Sequence, residues 1–308
     1  MKKTLILLLM LLLLYFVGKI PTERDEYINN GYSPSILLNV SNKLVKDPYV
    51  IKENGIYNMF FTFGDNPWDA DIGYAKSNDG IHWVFNSTLL RHSQAWRQDI
   101  SPIWAPFVIK KGKKYFLYVS GVVNGYKMGY FTSNSLNGHW KWSGYVKDNH
   151  GNNLKGIDPS IVRYRGTYYY VCSGAKDNQI NLYQSHTLNK WVPVGTILTI
   201  TKRWEGKILE APKLLIKKNE YFLFYGANNS DTNQRIGVAV SRKIDGPYHK
   251  IKRAKLNYPG WGQGAISHPG LIRKQNKYIL YSSISQLPNY AIVGYQSNDL
   301  IHWSDLNK

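Results

Sequence analysis

The sequence has almost no cysteine, few acidic residues, no helical period beyond its first residues and only one long apolar run. Cys172 is the single cysteine among 308 residues, which excludes an internal disulfide. Within Tyr170-Val171-Cys172-Ser173 it reads as a small strand residue. Asp and Glu number 20 against 39 Lys and Arg, a formal charge of +19. The basic residues are spread along the chain and match no nucleic-acid-binding motif, so nucleic acid is excluded as partner. Such a surface suits an anionic cell-surface polymer: acidic polysaccharide, teichoic acid or phospholipid head groups. The one apolar run, Leu5 to Val17 behind Met1-Lys2-Lys3-Thr4, has 13 residues and falls short of the roughly 20 that span a bilayer upright. It has the basic flank and length of a signal-peptide core, but no small-x-small cleavage site follows. Residues 1–20 are therefore expected to be a signal peptide or membrane anchor, with the protein secreted or membrane-anchored and extracytoplasmic. Residues 21–40 read as a linker or closing segment, and 41–308 as one domain.

What the sequence does have is a repeat. Val45-Lys46-Asp47-Pro48-Tyr49-Val50, Ile103-Trp104-Ala105-Pro106-Phe107-Val108, Gly156-Ile157-Asp158-Pro159-Ser160-Ile161, Leu209-Glu210-Ala211-Pro212-Lys213-Leu214 and Ile266-Ser267-His268-Pro269-Gly270-Leu271 share one design. Each is an apolar strand with a proline inside it, followed by a polar turn and a tyrosine-led second strand such as Tyr221-Phe222-Leu223-Phe224. The prolines at 48, 106, 159, 212 and 269 recur at intervals of 53 to 58 residues. Third strands and turns close each unit; Ser77-Asn78-Asp79-Gly80-Ile81-His82-Trp83 returns as Ser297-Asn298-Asp299-Leu300-Ile301-His302-Trp303. About four short strands per unit, five times over, predict an all-β, five-bladed β-propeller with four-stranded blades. The 24 tyrosines in a chain of 14% aromatics suit blades packed face to face, and leave rings for stacking on sugars.

In a propeller the innermost strands face the axis, so equivalent positions of successive repeats converge. The residue before each proline differs between copies: Asp47, Ala105, Asp158, Ala211 and His268, with the acid of the fourth copy displaced by one to Glu210. An Asp-Pro pair alone is usually a turn, but these are in phase with the repeat. Glu210 stands between apolar neighbours, a costly place for a carboxylate without a role. Three carboxylates around one pocket push each other's pKa values apart, as an acid and a base working at one pH require. Trp104 reads equally as a sugar-stacking ring or as core, and His268 as a packed histidine or a ligand. Asp65, Asp69 and Asp71 near Trp68 read as a solvated loop, and the two His-Trp pairs as packing.

Lys46-Asp47-Pro48, Trp104-Ala105-Pro106, Ile157-Asp158-Pro159 and Glu210-Ala211-Pro212, in that order on successive units, resemble glycoside hydrolase family 43, the five-bladed propellers that include arabinanases, arabinofuranosidases and xylosidases. The resemblance covers roughly residues 40 to 305. It implies hydrolysis of arabinan-, arabinoxylan- or xylan-like polysaccharide or oligosaccharide with inversion, by a monomer that requires no cofactor. It assigns Asp47 as general base, Glu210 as general acid, and Asp158 as the residue that orients Glu210 and raises its pKa. Trp104 and His268 would bind substrate. His268 also matches a histidine that approaches a central structural Ca2+ in many members, although Ala265-Ile266-Ser267-His268-Pro269-Gly270 departs from the glycine-flanked arabinanase form. Two alternatives stand beside this reading: a non-catalytic glycan-binding propeller, and a retaining fructan-acting propeller enzyme. The latter's Asn-Asp-Pro-Asn opening is replaced here by Lys46-Asp47-Pro48-Tyr49.

Overall fold

The computed structural model describes residues 35–96, 101–176, 178–228, 234–252, 265–286 and 289–306. The expected signal or anchor segment, 1–20, lies outside the described residues. Blade one is β2 (Leu44–Glu53), β3 (Ile56–Gly64), β4 (Ala70–Ser77) and β5 (Val84–Leu90), preceded in the chain by β1 (Ile36–Leu38). Blade two is β6 (Trp104–Lys111), β7 (Lys114–Val122), β8 (Tyr126–Ser133) and β9 (Lys141–Tyr145). A two-residue strand, β10 (Lys147–Asp148), leads to blade three: β11 (Ile157–Tyr164), β12 (Thr167–Ser173), β13 (Gln179–Ser185) and β14 (Lys190–Thr199). Blade four is β15 (Leu209–Lys217), β16 (Glu220–Ala227), β17 (Arg235–Ser241) and β18 (His249–Lys250). The last sheet holds β19 (Ala265–Lys274), β20 (Lys277–Gln286), β21 (Asn289–Ser297) and β22 (Ser304–Asp305).

Each blade is an antiparallel meander in chain order, so the chain forms the expected all-β, five-bladed propeller. Two blades depart from four strands. In blade three β10 adds a parallel fifth strand against β14. In blade five β21 carries both β22 and β1, the latter pairing Ile36 with Val293 and Leu38 with Ile292. The two ends of the ring are thus joined in one sheet, and the Ser35 N–H donates to Asp305 Oδ2 at 2.8 Å.

Hydrophobic burial follows the same fivefold order, with one apolar cluster between each pair of neighbouring blades. Phe60, Ile72 and Tyr74 of blade one meet Val108, Leu117 and Phe131 of blade two. Tyr118 and Met128 meet Tyr170 and Trp191; Val171 and Leu182 meet Leu209, Leu223 and Tyr225. Phe224 and Val238 meet Ile266 and Leu280, and Tyr281 with Ile279 meets Met59 and Phe61. Tyrosine at the start of each second strand therefore serves an interface rather than a single sheet. The two His-Trp pairs do the same: the Trp83 ring stands edge-on to Tyr281 and Trp303 edge-on to Phe224, while their indole N–H groups donate to Gly80 and Leu300 carbonyls. Cys172 is fully buried in a strand, and burial pushes its thiol well above the usual range.

Leu223 is fully buried between blades three and four. Leu223→Ala should lower stability by about 2–5 kcal/mol, read from urea unfolding.

Candidate active site

Every innermost strand carries the same defect. The pairing between first and second strands slips by one residue between Lys46 and Tyr49, Trp104 and Phe107, Ile157 and Ser160, Glu210 and Lys213, and Ser267 and Gly270. These are β-bulges, and they explain the prolines: a bulge is where a strand tolerates a residue without an N–H. The residue before each proline takes a left-handed backbone, with φ of 57° at Asp47, 48° at Ala105, 60° at Asp158, 49° at Ala211 and 53° at His268. For residues other than glycine this costs on the order of 1–3 kcal/mol each, and it re-aims the side chain toward the axis.

Three of the bulges are held by hydroxyls of the preceding blade. Fifteen positions after the bulge residues (47 and 62, 105 and 120, 158 and 173, 211 and 226, 268 and 283) stand Thr62, Ser120, Ser173, Gly226 and Ser283. The Asp47 N–H donates to Ser283 Oγ at 2.8 Å, the Ala105 N–H to Thr62 Oγ1 at 2.9 Å, and the Asp158 N–H to Ser120 Oγ at 2.8 Å. At the next step the Ala211 N–H donates instead to Asp158 Oδ2, at 2.8 Å, with the Ser173 hydroxyl donating to the same oxygen from 3.4 Å. The fourth position is Gly226, where a Cβ would lie 3.3 Å from Glu210 Cγ. The hydroxyl is missing where the displaced carboxylate needs the room.

The structure brings Asp47, Asp158, Glu210 and His268 together. Asp47 is 9% exposed; its Oδ2 accepts from the Thr62 hydroxyl at 2.5 Å, and its Oδ1 lies 3.3 Å from His268 Nδ1 but accepts no hydrogen bond among the described residues. His268 Nδ1 also meets Ser267 Oγ at 2.9 Å, while its Nε2 is 3.9 Å from Glu210 Oε1. The imidazole thus stands between the two carboxyls. Glu210 Oε1 accepts from Gln234 Nε2. Burial, reinforced by the charges of Asp158 and Asp47 against the opposing pull of His268 and Lys46, pushes the Glu210 carboxyl up to about 7. Asp158 is raised too, chiefly by burial and then by Asp47, with His268, the Ala211 N–H and Lys213 pulling the other way.

Trp104 sits at the rim. Its indole N–H donates to the Pro67 carbonyl at 2.6 Å, and its ring meets Trp68 edge-on at 5.8 Å. Trp68 is 72% exposed, so this pair presents an aromatic surface beside the site. Of the nearby acids, Asp71 accepts from the N–H and Nδ1 of His92, both at 2.8 Å, and Asp65 pairs with Lys43; both are occupied in holding loops.

Ca2+ does not fit the residues present. Asp158, Glu210 and His268 offer three donor atoms within 4.8 Å of one another, one of them a nitrogen, where Ca2+ takes six to eight oxygens. The cavity bounded by Asp47, Asp158, Ala211, Lys213 and His268 has a volume of about 10 Å³, room for about one water rather than a hydration shell. It also holds a lysine.

Sequence reasoning missed Thr62, Ser120, Ser283, Gly226, Gln234 and Lys213. The first four had a signal, a small residue at one fixed offset from every bulge; Gln234 had none.

The family model for glycosyl hydrolases family 43 matches residues 38–162 and 152–299. The chain belongs to glycosyl hydrolase family 43. Among curated proteins, a probable arabinan endo-1,5-α-L-arabinosidase B of Aspergillus fumigatus is 32% identical over 125 residues, 39% of this chain and 32% of that protein. An arabinan endo-1,5-α-L-arabinosidase B of Emericella nidulans is 28% identical over 125 residues, 39% of this chain and 30% of that one. The match thus spans about a third of the length of these relatives. Among solved structures, a thermostable family 43 glycoside hydrolase superposes with a TM-score of 0.69 at 17% identity, covering 85% of this chain and 92% of its own. An exo-1,5-α-L-arabinanase from a bovine ruminal metagenomic library gives 0.62 at 20% identity, covering 84% and 95%. These likenesses establish the family 43 fold.

Thr62→Val removes the acceptor of the Ala105 N–H and the donor to Asp47 while keeping the side chain's shape. It should destabilise the protein by about 1–3 kcal/mol, measured by denaturant unfolding against Thr132→Val, whose hydroxyl makes only an exposed contact with Ser143 and whose loss should be near neutral.

Proposed function

We propose that this family 43 chain is a glycosidase that cleaves arabinan-, arabinoxylan- or xylan-like glycans with inversion, outside the cytoplasm. The observation that carries the reading is the contrast between two carboxyls in one pocket. Glu210 is pushed up to about 7 and so holds its proton near neutral pH, ready to give it to a leaving oxygen. Asp47 keeps Oδ2 fixed by Thr62 and leaves Oδ1 without a hydrogen-bond donor, the oxygen suited to take a proton from water. His268 lies 3.3 Å from Asp47 Oδ1 and 3.9 Å from Glu210 Oε1, so the base and the acid border one pocket on either side of the imidazole, as two carboxyls acting in a single displacement must share one site.

Asp158 acts through the backbone. By accepting the Ala211 N–H it fixes the bulge that follows Glu210, and its charge helps to hold Glu210 protonated. Trp68 and Trp104 supply a stacking surface for a sugar ring at the rim. The arabinan activity named for the Aspergillus and Emericella relatives makes α-1,5-arabinan the first substrate to try.

The test is reducing-sugar release from arabinan, arabinoxylan, xylan, galactan, levan and acidic exopolysaccharide by the wild type and Glu210→Gln. The wild type should release sugar from at least one arabinose- or xylose-containing polymer, and the variant should lose about 10²–10⁴-fold in kcat/KM. Silence on every polymer, with both proteins retained by one of them, would favour a glycan-binding propeller instead. For an acid that must be protonated, kcat/KM should fall as pH rises through about 7; a profile flat from 6 to 9 would remove Glu210 from that role.

Gly226→Ser places a Cβ 3.3 Å from Glu210 Cγ and should displace the acid by a few tenths of an ångström. A loss of about tenfold or more in kcat with little change in KM is expected from such a misplacement.

A further inference from the structure

We propose that the Lys213 ammonium is the resident cation of the axial channel, so that this propeller balances its converging carboxylates without a divalent metal ion. Two residues beyond each bulge stands a second ring of equivalent positions: Tyr49, Phe107, Ser160, Lys213 and Gly270. Blades one and two contribute aromatic rings whose centroids are 4.5 Å apart. Blade five contributes Gly270, which has no space for a side chain because a Cβ there would meet the Pro48 carbonyl at 2.3 Å. Blade three contributes Ser160, buried at 2% exposure. The remaining position is filled from blade four by a lysine.

The Lys213 side chain crosses toward blades one and two. Its Nζ lies 5.3 Å from the Phe107 ring centroid and 5.8 Å from that of Tyr49, so two π-faces receive the charge. Among the described residues it makes no hydrogen bond or ion pair within 4 Å, and it lines the same small cavity as Asp47, Asp158 and His268. Burial pulls the ammonium down to about 8, while Asp158 and Asp47 sustain its charge; reciprocally, Lys213 draws down the Asp158 carboxyl. A cation bound among these groups would face the ammonium across a space that holds about one water. Lysine and metal exclude each other here, and the lysine is built into the chain.

The experiment is thermal unfolding and calcium titration calorimetry on the full chain, in which stability and ion binding are read rather than turnover. Its failure would leave the hydrolase reading untouched, and an inactive enzyme would leave this one standing. For the wild type, the melting temperature should differ by under about one degree between excess EDTA and millimolar CaCl2, and titration should give no binding heat. Lys213→Met, which keeps the bulk and removes the charge, should melt several degrees lower in either buffer. Lys213→Ser, which removes both, should melt lower still in EDTA and recover several degrees in CaCl2, because the carboxylates then accept an external cation. A wild type stabilised by CaCl2, a Lys213→Met protein as stable as the wild type, or a Lys213→Ser protein indifferent to CaCl2 would each overturn the proposal.

Discussion

The centre of this molecule depends on one constraint: at four of the five bulges the left-handed residue before proline has its N–H accepted by a side chain of the preceding blade. In the pairs that connect Asp47 to Ser283, Ala105 to Thr62 and Asp158 to Ser120, the acceptor is a hydroxyl of the preceding second strand. The bulge that aims a side chain at the axis is therefore also what joins one blade to the next. The apolar clusters between blades supply the bulk of the stability, but they would tolerate small rotations of a blade. The hydrogen bonds at the bulges do not, since each must meet a single acceptor on the neighbouring blade.

The blade-four position shows how function bends this rule. The Ala211 N–H is taken by Asp158, a carboxylate, and the hydroxyl position of blade four itself is glycine because Glu210 occupies the space beside it. Two departures from the repeat thus fall on Asp158 and Glu210, where the first fixes the backbone of the residue that follows the second. The electrostatics follow from the same crowding. Burial raises both carboxyls, and His268, Lys46 and Lys213 limit how far they rise. A basic chain, +19 overall, places three of its cations or potential cations about an acidic centre.

Much of this was legible in the residues. The proline period gave the five blades, because a proline inside an apolar strand has few places to go other than a bulge. The phase of Asp47, Asp158 and Glu210 with that period is enough to bring them to one pocket. The identity of the closing strands was only partly legible: residues 36 to 38 were read within a linker or closing segment, and three residues are too few to show an alternation. Thr62, Ser120 and Ser283 were overlooked since a small hydroxyl in an apolar strand looks like filler until the offset of fifteen is noticed. In the sequence Lys213 does not stand out among 39 basic residues. What distinguishes it is its companions from blades one and two, more than a hundred residues away in sequence from either, and no local pattern reports them.

The most direct measurement of the central claim is time-resolved proton NMR of the first sugar released, before the anomers equilibrate. With Asp47 activating water and Glu210 protonating the leaving oxygen, the new product must carry the anomeric configuration opposite to that of the bond cleaved. A first product of the same configuration would mean that Asp47 attacks the sugar itself, and would contradict the single-displacement assignment of the three carboxylates.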